Sequence, residues 1–412
     1  MALEKYCVRC DRLFMDDSIS GGRTMSLVAE AMRIAPLLAA DCGEDDRLRR
    51  LGDRPWKLLL DGGFLRALQP ARFGGGEVPL LDFVDATIEI SRVSPSAGWV
   101  AGVIGVHPWQ LALFSDRSQR EMWDEDPTAM HSSSYNPTGK AEKVAGGYKL
   151  SGRWSFSSGC DHCRGVMLGA LCGSREIAGN QVRDFRSFLL IRDQYRIDDN
   201  WHVAGLKGTG SKDIVVEDAF VPEYRTQSHL DYAMNLPLPG QEVNQGPLYR
   251  LPWSVVFNMA IASSALGSAR GFVDAWIIAT RDRKLGSGGR AADDALIQDR
   301  IATATWYLDA SITRVRADAI ELWQMAEARE PASMQQRAQV RWNMNRGCEL
   351  VGQAVAALFR AASGRSIFLD DPLQRRFQDL QAALAHAYLT PDPLSRAVGG
   401  MILGATKLEL VF

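Results

Sequence analysis

Apolar spacing along this chain changes period twice, and that double change limits the folds open to it. Residues 23–40 and 82–92 repeat apolar positions every three to four residues, the spacing of one helix face. Residues 97–113 are small and apolar, as in a buried helix. From about residue 130 to 221 the pattern turns β-rich. Segments 144–150, 166–171, 187–192 and 213–220 are short and separated by Gly, Asn and Asp turns. Helical spacing returns in 253–279, 293–327, 333–362 and 373–386. A chain of 412 residues also exceeds one hydrophobic core. The pattern predicts an α+β multidomain protein. Its parts are a flexible leader over 1–24, an N-terminal helical domain over 25–129, a central β domain over 130–223, a connecting loop over 224–250 and a C-terminal helical bundle over 251–412.

Composition narrows the function classes. With 46% hydrophobic and 23% charged residues and a net charge of −2, the chain has no basic block suited to nucleic acid or an anionic membrane. The longest apolar run, near 255–266, is interrupted by Asn258 and paired serines, and falls short of the roughly 20 residues that span a bilayer. The N-terminus lacks a signal-peptide pattern. Seven cysteines in a long chain suit reduced thiols and a cytoplasmic location. The Cys7–Cys10 pair has no second pair or nearby histidines, so no metal site is expected. It falls in the leader, and Met25 offers an alternative start.

Residues 151–163 carry the most chemical information. A strand over 148–154 breaks into the corner Ser157-Ser158-Gly159. An aromatic followed by hydroxyls and a glycine suits a planar ligand, because glycine lets backbone approach closely. Two further segments stand out: Gly205-Leu-Lys-Gly-Thr-Gly-Ser-Lys-Asp213, and Ser363-Gly364-Arg365-Ser366 with Pro372-Leu-Gln-Arg-Arg-Phe-Gln-Asp379. Together with the helix–β–helix order, these motifs resemble the acyl-CoA dehydrogenase family from about residue 29 to the C-terminus. Its dehydrogenases commonly place a glutamate base about eight residues after the Arg-Asp pair. Here that neighbourhood is Ala385-His386-Ala387-Tyr388. A histidine in that place, with Ala97-Gly98-Trp99-Val100, His107-Pro108-Trp109 and the 153–162 loop, resembles the oxygenase components of two-component flavin hydroxylases.

That resemblance implies an aromatic, phenolic substrate hydroxylated through a C4a-hydroperoxyflavin made from reduced flavin (FMNH2 or FADH2) and O2. It implies catalytic roles for His107, His386 and Ser158, with Ser158 a donor beside flavin N5. Either histidine could be the base. Ser134, Phe156, Ser157 and Ser158 would contact the flavin. Arg281 or Arg283 would reach the flavin phosphate of a neighbouring subunit in a homotetramer, and Ser363 and Gly364 would also bind the cofactor. No GxGxxG follows a strand, so a separate NAD(P)H-dependent flavin reductase is expected to supply electrons. Leu236, Pro237 and Leu238 are expected at the substrate mouth. The bland readings place His386 as a core histidine on a helix, His107 at a helix end, His162 as a loop-shaping residue, and His202 and His229 on loops or the surface. The alternative functions are an acyl-CoA dehydrogenase with a displaced base and a flavin-free binding protein.

Overall fold

The computed structural model describes residues 26–405, apart from 178 and 287. The leader with its CxxC pair lies outside these residues. Six helices come first: α1 (Leu27–Leu48), α2 (Asp53–Asp61), α3 (Leu80–Val93), α4 (Pro95–Gly105), α5 (His107–Leu111) and α6 (Asp116–Trp123). Seven strands follow: β1 (His131–Val144), β2 (Gly147–Ser157), β3 (Gly165–Ile177), β4 (Asn180–Ile191), β5 (Arg196–Asp198), β6 (Lys212–Pro222) and β7 (Thr226–Ser228). The chain closes with α7 (His229–Ala233), α8 (Trp253–Thr280), α9 (Ala295–Glu327), α10 (Met334–Arg360), α11 (Pro372–Leu384) and α12 (Asp392–Ile402). No helix among the described residues is long and apolar enough to cross a membrane.

The strands form one sheet ordered β5-β6-β2-β1-β3-β4-β7, with β1 and β3 parallel and the other pairs antiparallel. Two corrections to the sequence reading arise here. Residues 144–150 straddle the β1–β2 turn, because Gly146 sits at φ 79° and Val144 pairs with Gly147. The expected 97–113 helix is two helices, α4 and α5, which divide at Val106 beside Pro108.

The helical core gathers α1, α3, α4, α8, α9 and α10, while the sheet keeps a smaller core around Trp154, Leu168, Phe188 and Ile214. Close helix packing explains the small residues of α4. A Cβ on Gly98 would run into Ser91 of α3, and Ser264 of α8 donates to the Gly98 carbonyl at 3.1 Å. α4 therefore lies wedged between α3 and α8, and this sets Trp99 against the turn after β2 and leads into α5, where His107 meets the start of β1.

Candidate flavin and substrate site

The end of β2 and the turn after it are shaped by two left-handed residues. Phe156 takes φ 69° and Gly159 takes φ 69°. Glycine is required at 159, because Ile104 of α4 would touch an added Cβ at 3.1 Å in a backbone conformation few side chains adopt. Phe156 has no such freedom, and its ring is still 68% exposed. Its one ring contact is edge-on with Trp201, centroids 6.1 Å apart. A bulky aromatic held in a disfavoured conformation and left uncovered is a surface shaped for a ligand.

Behind Phe156 the hydroxyls are ordered. Ser157 donates to Ser132 at 2.9 Å, and Ser134 donates to the Ser155 carbonyl at 2.7 Å. Ser158 accepts from the Trp99 indole N–H at 3.1 Å and lies 2.7 Å from the Ser211 hydroxyl. The two glycine-bearing motifs also meet: the Leu206 amide donates to Asp379 at 2.7 Å. Burial raises the Asp379 carboxyl to about 6.

His386 is not on α11, which ends at Leu384. It caps the following turn, and its Nδ1 accepts from the Tyr388 amide at 3.1 Å. A neutral imidazole accepting at Nδ1 carries its proton on Nε2. Burial lowers its pKa to about 4, so it stays neutral near pH 7. Its ring lies 5.6 Å from Trp99, which joins it to Ser158.

His107 has the opposite polarity. It and His131 hold each other in a reciprocal clasp. His107 Nδ1 donates to the His131 carbonyl at 2.9 Å, and His131 Nε2 donates to the His107 carbonyl at 3.1 Å. Among the described residues the remaining His107 Nε2 lone pair is buried and has no partner. Desolvation holds His107 well below the ordinary imidazole range and His131 near 4. His107 faces Phe257, at 5.9 Å between centroids. Phe257 belongs to a stacked column, Tyr232–Trp253–Phe257, that Tyr135 and Tyr388 meet edge-on.

This aromatic wall was missed in the sequence. The i, i+4 spacing of Trp253 and Phe257 at the start of α8 was the available signal. The connecting segment does contribute to it, though through other residues than expected. His229, read from sequence as a loop or surface residue, is half-buried, with Nε2 2.7 Å from Ser187 and its ring 4.5 Å from Trp253. Tyr232 stacks on Trp253, whereas Leu236 and Pro237 are exposed and Leu238 enters the helical core. His162 shapes its loop, stacked on Trp56 at 4.6 Å and bonded to the Leu51 carbonyl.

The predicted arginines lie elsewhere. Arg283 donates to the Ala361 carbonyl at 2.8 Å, beside the exposed Ser363 and Gly364, and Arg281 is exposed. Phe257 and Arg283 are separated by nearly the whole of α8, on the order of 30–40 Å at 1.5 Å per residue. One chain therefore splits the predicted residues into two groups: Ser134, Phe156, Ser157 and Ser158 at the loop, with His386 joined to it through Trp99 and His107 through His131 beside Ser132, and Arg281, Arg283, Ser363 and Gly364 at the far end of α8. Two open surface clefts, one lined by Glu121, Asp126 and Arg192 and the other by Arg66, Arg72 and Asp124, contain none of them.

The family model for the acyl-CoA dehydrogenase, C-terminal domain, matches residues 259–391. The flavin-dependent monooxygenase oxygenase subunit HsaA of Rhodococcus jostii is 36% identical over 361 residues, covering 87% of this chain and 93% of that protein. The FADH(2)-dependent resorcinol hydroxylase oxygenase component of a Rhizobium species is 31% identical over 388 residues, covering 92% of this chain and 94% of that protein. The crystal structure of 3-HSA hydroxylase from a Rhodococcus species matches with a TM-score of 0.87 at 34% identity, over 94% of this chain and 99% of that one.

Proposed function

This chain belongs to the oxygenase components of the flavin-dependent monooxygenases, and from that premise we propose how its residues share the work of hydroxylating an aromatic substrate. A separate flavin reductase delivers reduced flavin to it. The bound reduced flavin supplies two electrons and, with O2, the electrophilic oxygen. The groups of the 155–159 loop fit such a ring: an uncovered aromatic face at Phe156 and a hydroxyl at Ser158 with an uncommitted lone pair.

The substrate is a phenol, seated against the Phe257–Trp253 wall. The observation that carries this reading is the partnerless lone pair on His107 Nε2. A phenol O–H satisfies it, and the hydrogen bond pushes electron density into the ring, where oxygen attack needs it. Because burial has weakened this imidazole as a base, it shares the phenol proton and does not remove it outright. His386 Nε2–H is the donor of the pair and serves the oxygen side. Water is kept from both by the packed wall of Trp99, Phe257 and Tyr388.

The 30–40 Å run of α8 supports a homo-oligomer, in which Arg283 or Arg281 of one copy reaches the flavin phosphate of another. A tetramer is the reading we favour, located in the cytoplasm.

The test is His107→Asn. An asparagine amide keeps a donor for the His131 carbonyl but removes the Nε2 lone pair. With photoreduced flavin, O2 and a simple phenol, hydroxylated product is expected to fall about 100-fold while flavin reoxidation continues as peroxide release. Unchanged product yield removes His107 from the reaction.

A further inference from the structure

We propose that Ser211 and Thr209 fix the hydrogen-bond polarity of Ser158, so that the site accepts reduced flavin and turns oxidised flavin away. The inference rests on the reading of Ser158 as the residue beside flavin N5. It goes further by assigning the redox selectivity to two residues that touch no flavin.

The polarity follows from counting protons along one chain of contacts. The Thr209 hydroxyl lies 2.8 Å from the Leu206 carbonyl. Two oxygens that close repel unless a proton lies between them, and a carbonyl has none to give, so Thr209 donates. Its single proton is then used, and the Ser211 hydroxyl at 2.7 Å must donate to it. That uses the Ser211 proton, so Ser158, 2.7 Å from Ser211, must donate in turn. At the other end, the Trp99 indole is a donor only, and it gives its proton to Ser158 at 3.1 Å. Ser158 is left with one lone pair and no proton. The sequence resemblance made Ser158 a donor; the chain of partners makes it an acceptor.

The anchor of this chain is firm. The Leu206 carbonyl also accepts from the Thr209 amide at 3.1 Å and the Trp201 indole at 3.3 Å, and the Leu206 amide is held by Asp379. Trp99, Thr209 and Ser211 are all buried, which keeps bulk water from supplying an alternative partner that would reverse the chain.

Flavin N5 changes hydrogen-bonding sense with oxidation state. Reduced flavin carries a proton on N5, which an acceptor hydroxyl welcomes. Oxidised flavin presents a bare lone pair there, and a committed Ser158 can only oppose it. A site built to accept one hydrogen bond rejects the partner that cannot donate it. A missing bond facing a like group corresponds to about ten- to hundred-fold in affinity. For a protein supplied by a separate reductase, this selection clears spent flavin and admits fresh.

Anaerobic titrations of oxidised and reduced FMN and FAD, followed by flavin absorbance and tryptophan fluorescence, give the two Kd values and their ratio. The wild type is expected to prefer reduced flavin at least about tenfold. Ser211→Ala and Thr209→Val each free the Ser158 proton to point at the flavin, so each should shrink the ratio about tenfold, mainly by tightening the oxidised complex. Ser211→Thr and Thr209→Ser keep the hydroxyls and should keep the ratio. An unchanged ratio in both Ser211→Ala and Thr209→Val overturns the inference. So does an equal weakening of both redox forms, the mark of damaged packing alone. A wild-type protein that binds neither form refutes the flavin-site reading itself, a separate failure.

Discussion

Acidification should weaken the fold through His131, and the size of the effect can be worked from its surroundings. The ring is fully buried at the start of β1, donates from Nε2 to the His107 carbonyl, and has no partner at Nδ1. Desolvation lowers its pKa from 6.5 to about 4. The unfolded chain therefore binds the extra proton. The stabilising contribution is full above about pH 6.5 and is lost as the pH falls from there to about 4. At about pH 5 the unfolded imidazole is almost wholly protonated and the folded one hardly at all, a loss of about 2 kcal/mol relative to pH 7.

His131→Gln isolates this contribution. The glutamine amide nitrogen can take the place of Nε2 in the bond to His107, and it does not titrate. Urea unfolding of both proteins, at about pH 7 and about pH 5, gives four stabilities. The variant should lose about 1 kcal/mol at neutral pH from imperfect bonding, but about 2 kcal/mol less than the wild type on acidification. His229 and His386, which do not touch His131, titrate in both proteins and cancel in the difference. Equal acid sensitivity of the two proteins would refute the argument that a neutral, clasped His131 is built into the fold.

Two further outcomes bear on the scaffold. Gly98→Ala should lower stability by about 1–3 kcal/mol, since the new methyl meets Ser91 where α4 wedges against α3; thermal unfolding reads it directly. Arg341→Met should leave stability unchanged or raise its urea midpoint: this guanidinium is buried with a 3.5 Å bond to Asn258 and the face of Tyr388 at 5.0 Å, and no carboxylate is paired with it.

The order of helices, sheet and helices was legible because burial imposes a period, and the period changes twice in this chain. The candidate loop stood out for a different reason: Phe156, Ser157, Ser158 and Gly159 are adjacent, so their chemistry travels with local sequence. What escaped was set by distant partners. The alanine-rich run before His386 keeps a helical spacing, yet the chain leaves α11 there because the imidazole caps the Tyr388 amide. His229 sits in a polar segment and reads as surface, but Ser187 and Trp253 bury it. The hydroxyl chain joins Trp99, Ser158 and Ser211 across more than a hundred residues, and no local pattern announces it.

The same contacts separate this site from proton abstraction by a carboxylate. Such a reaction needs an acid group free to take a proton from carbon. The carboxylates flanking the 156–159 loop are already engaged: Asp161 by Lys212 at 2.8 Å, and Asp213 by Arg153 at 2.5 Å. Burial pushes the Asp213 carboxyl up, but its bonds from Arg153, Ser155 and Asn200 outweigh that and hold it below the ordinary carboxylate range, which makes it a weaker base. What remains uncommitted is neutral: the His107 Nε2 lone pair, the proton His386 keeps on Nε2, and the open lone pair on Ser158. Each can hold or share a proton on oxygen or nitrogen, and none is strong enough to pull one from carbon. A site of neutral acceptors and donors, kept dry by aromatic rings, suits the orientation of a phenol beside a reactive oxygen. It is poorly suited to the chemistry most often found on this scaffold.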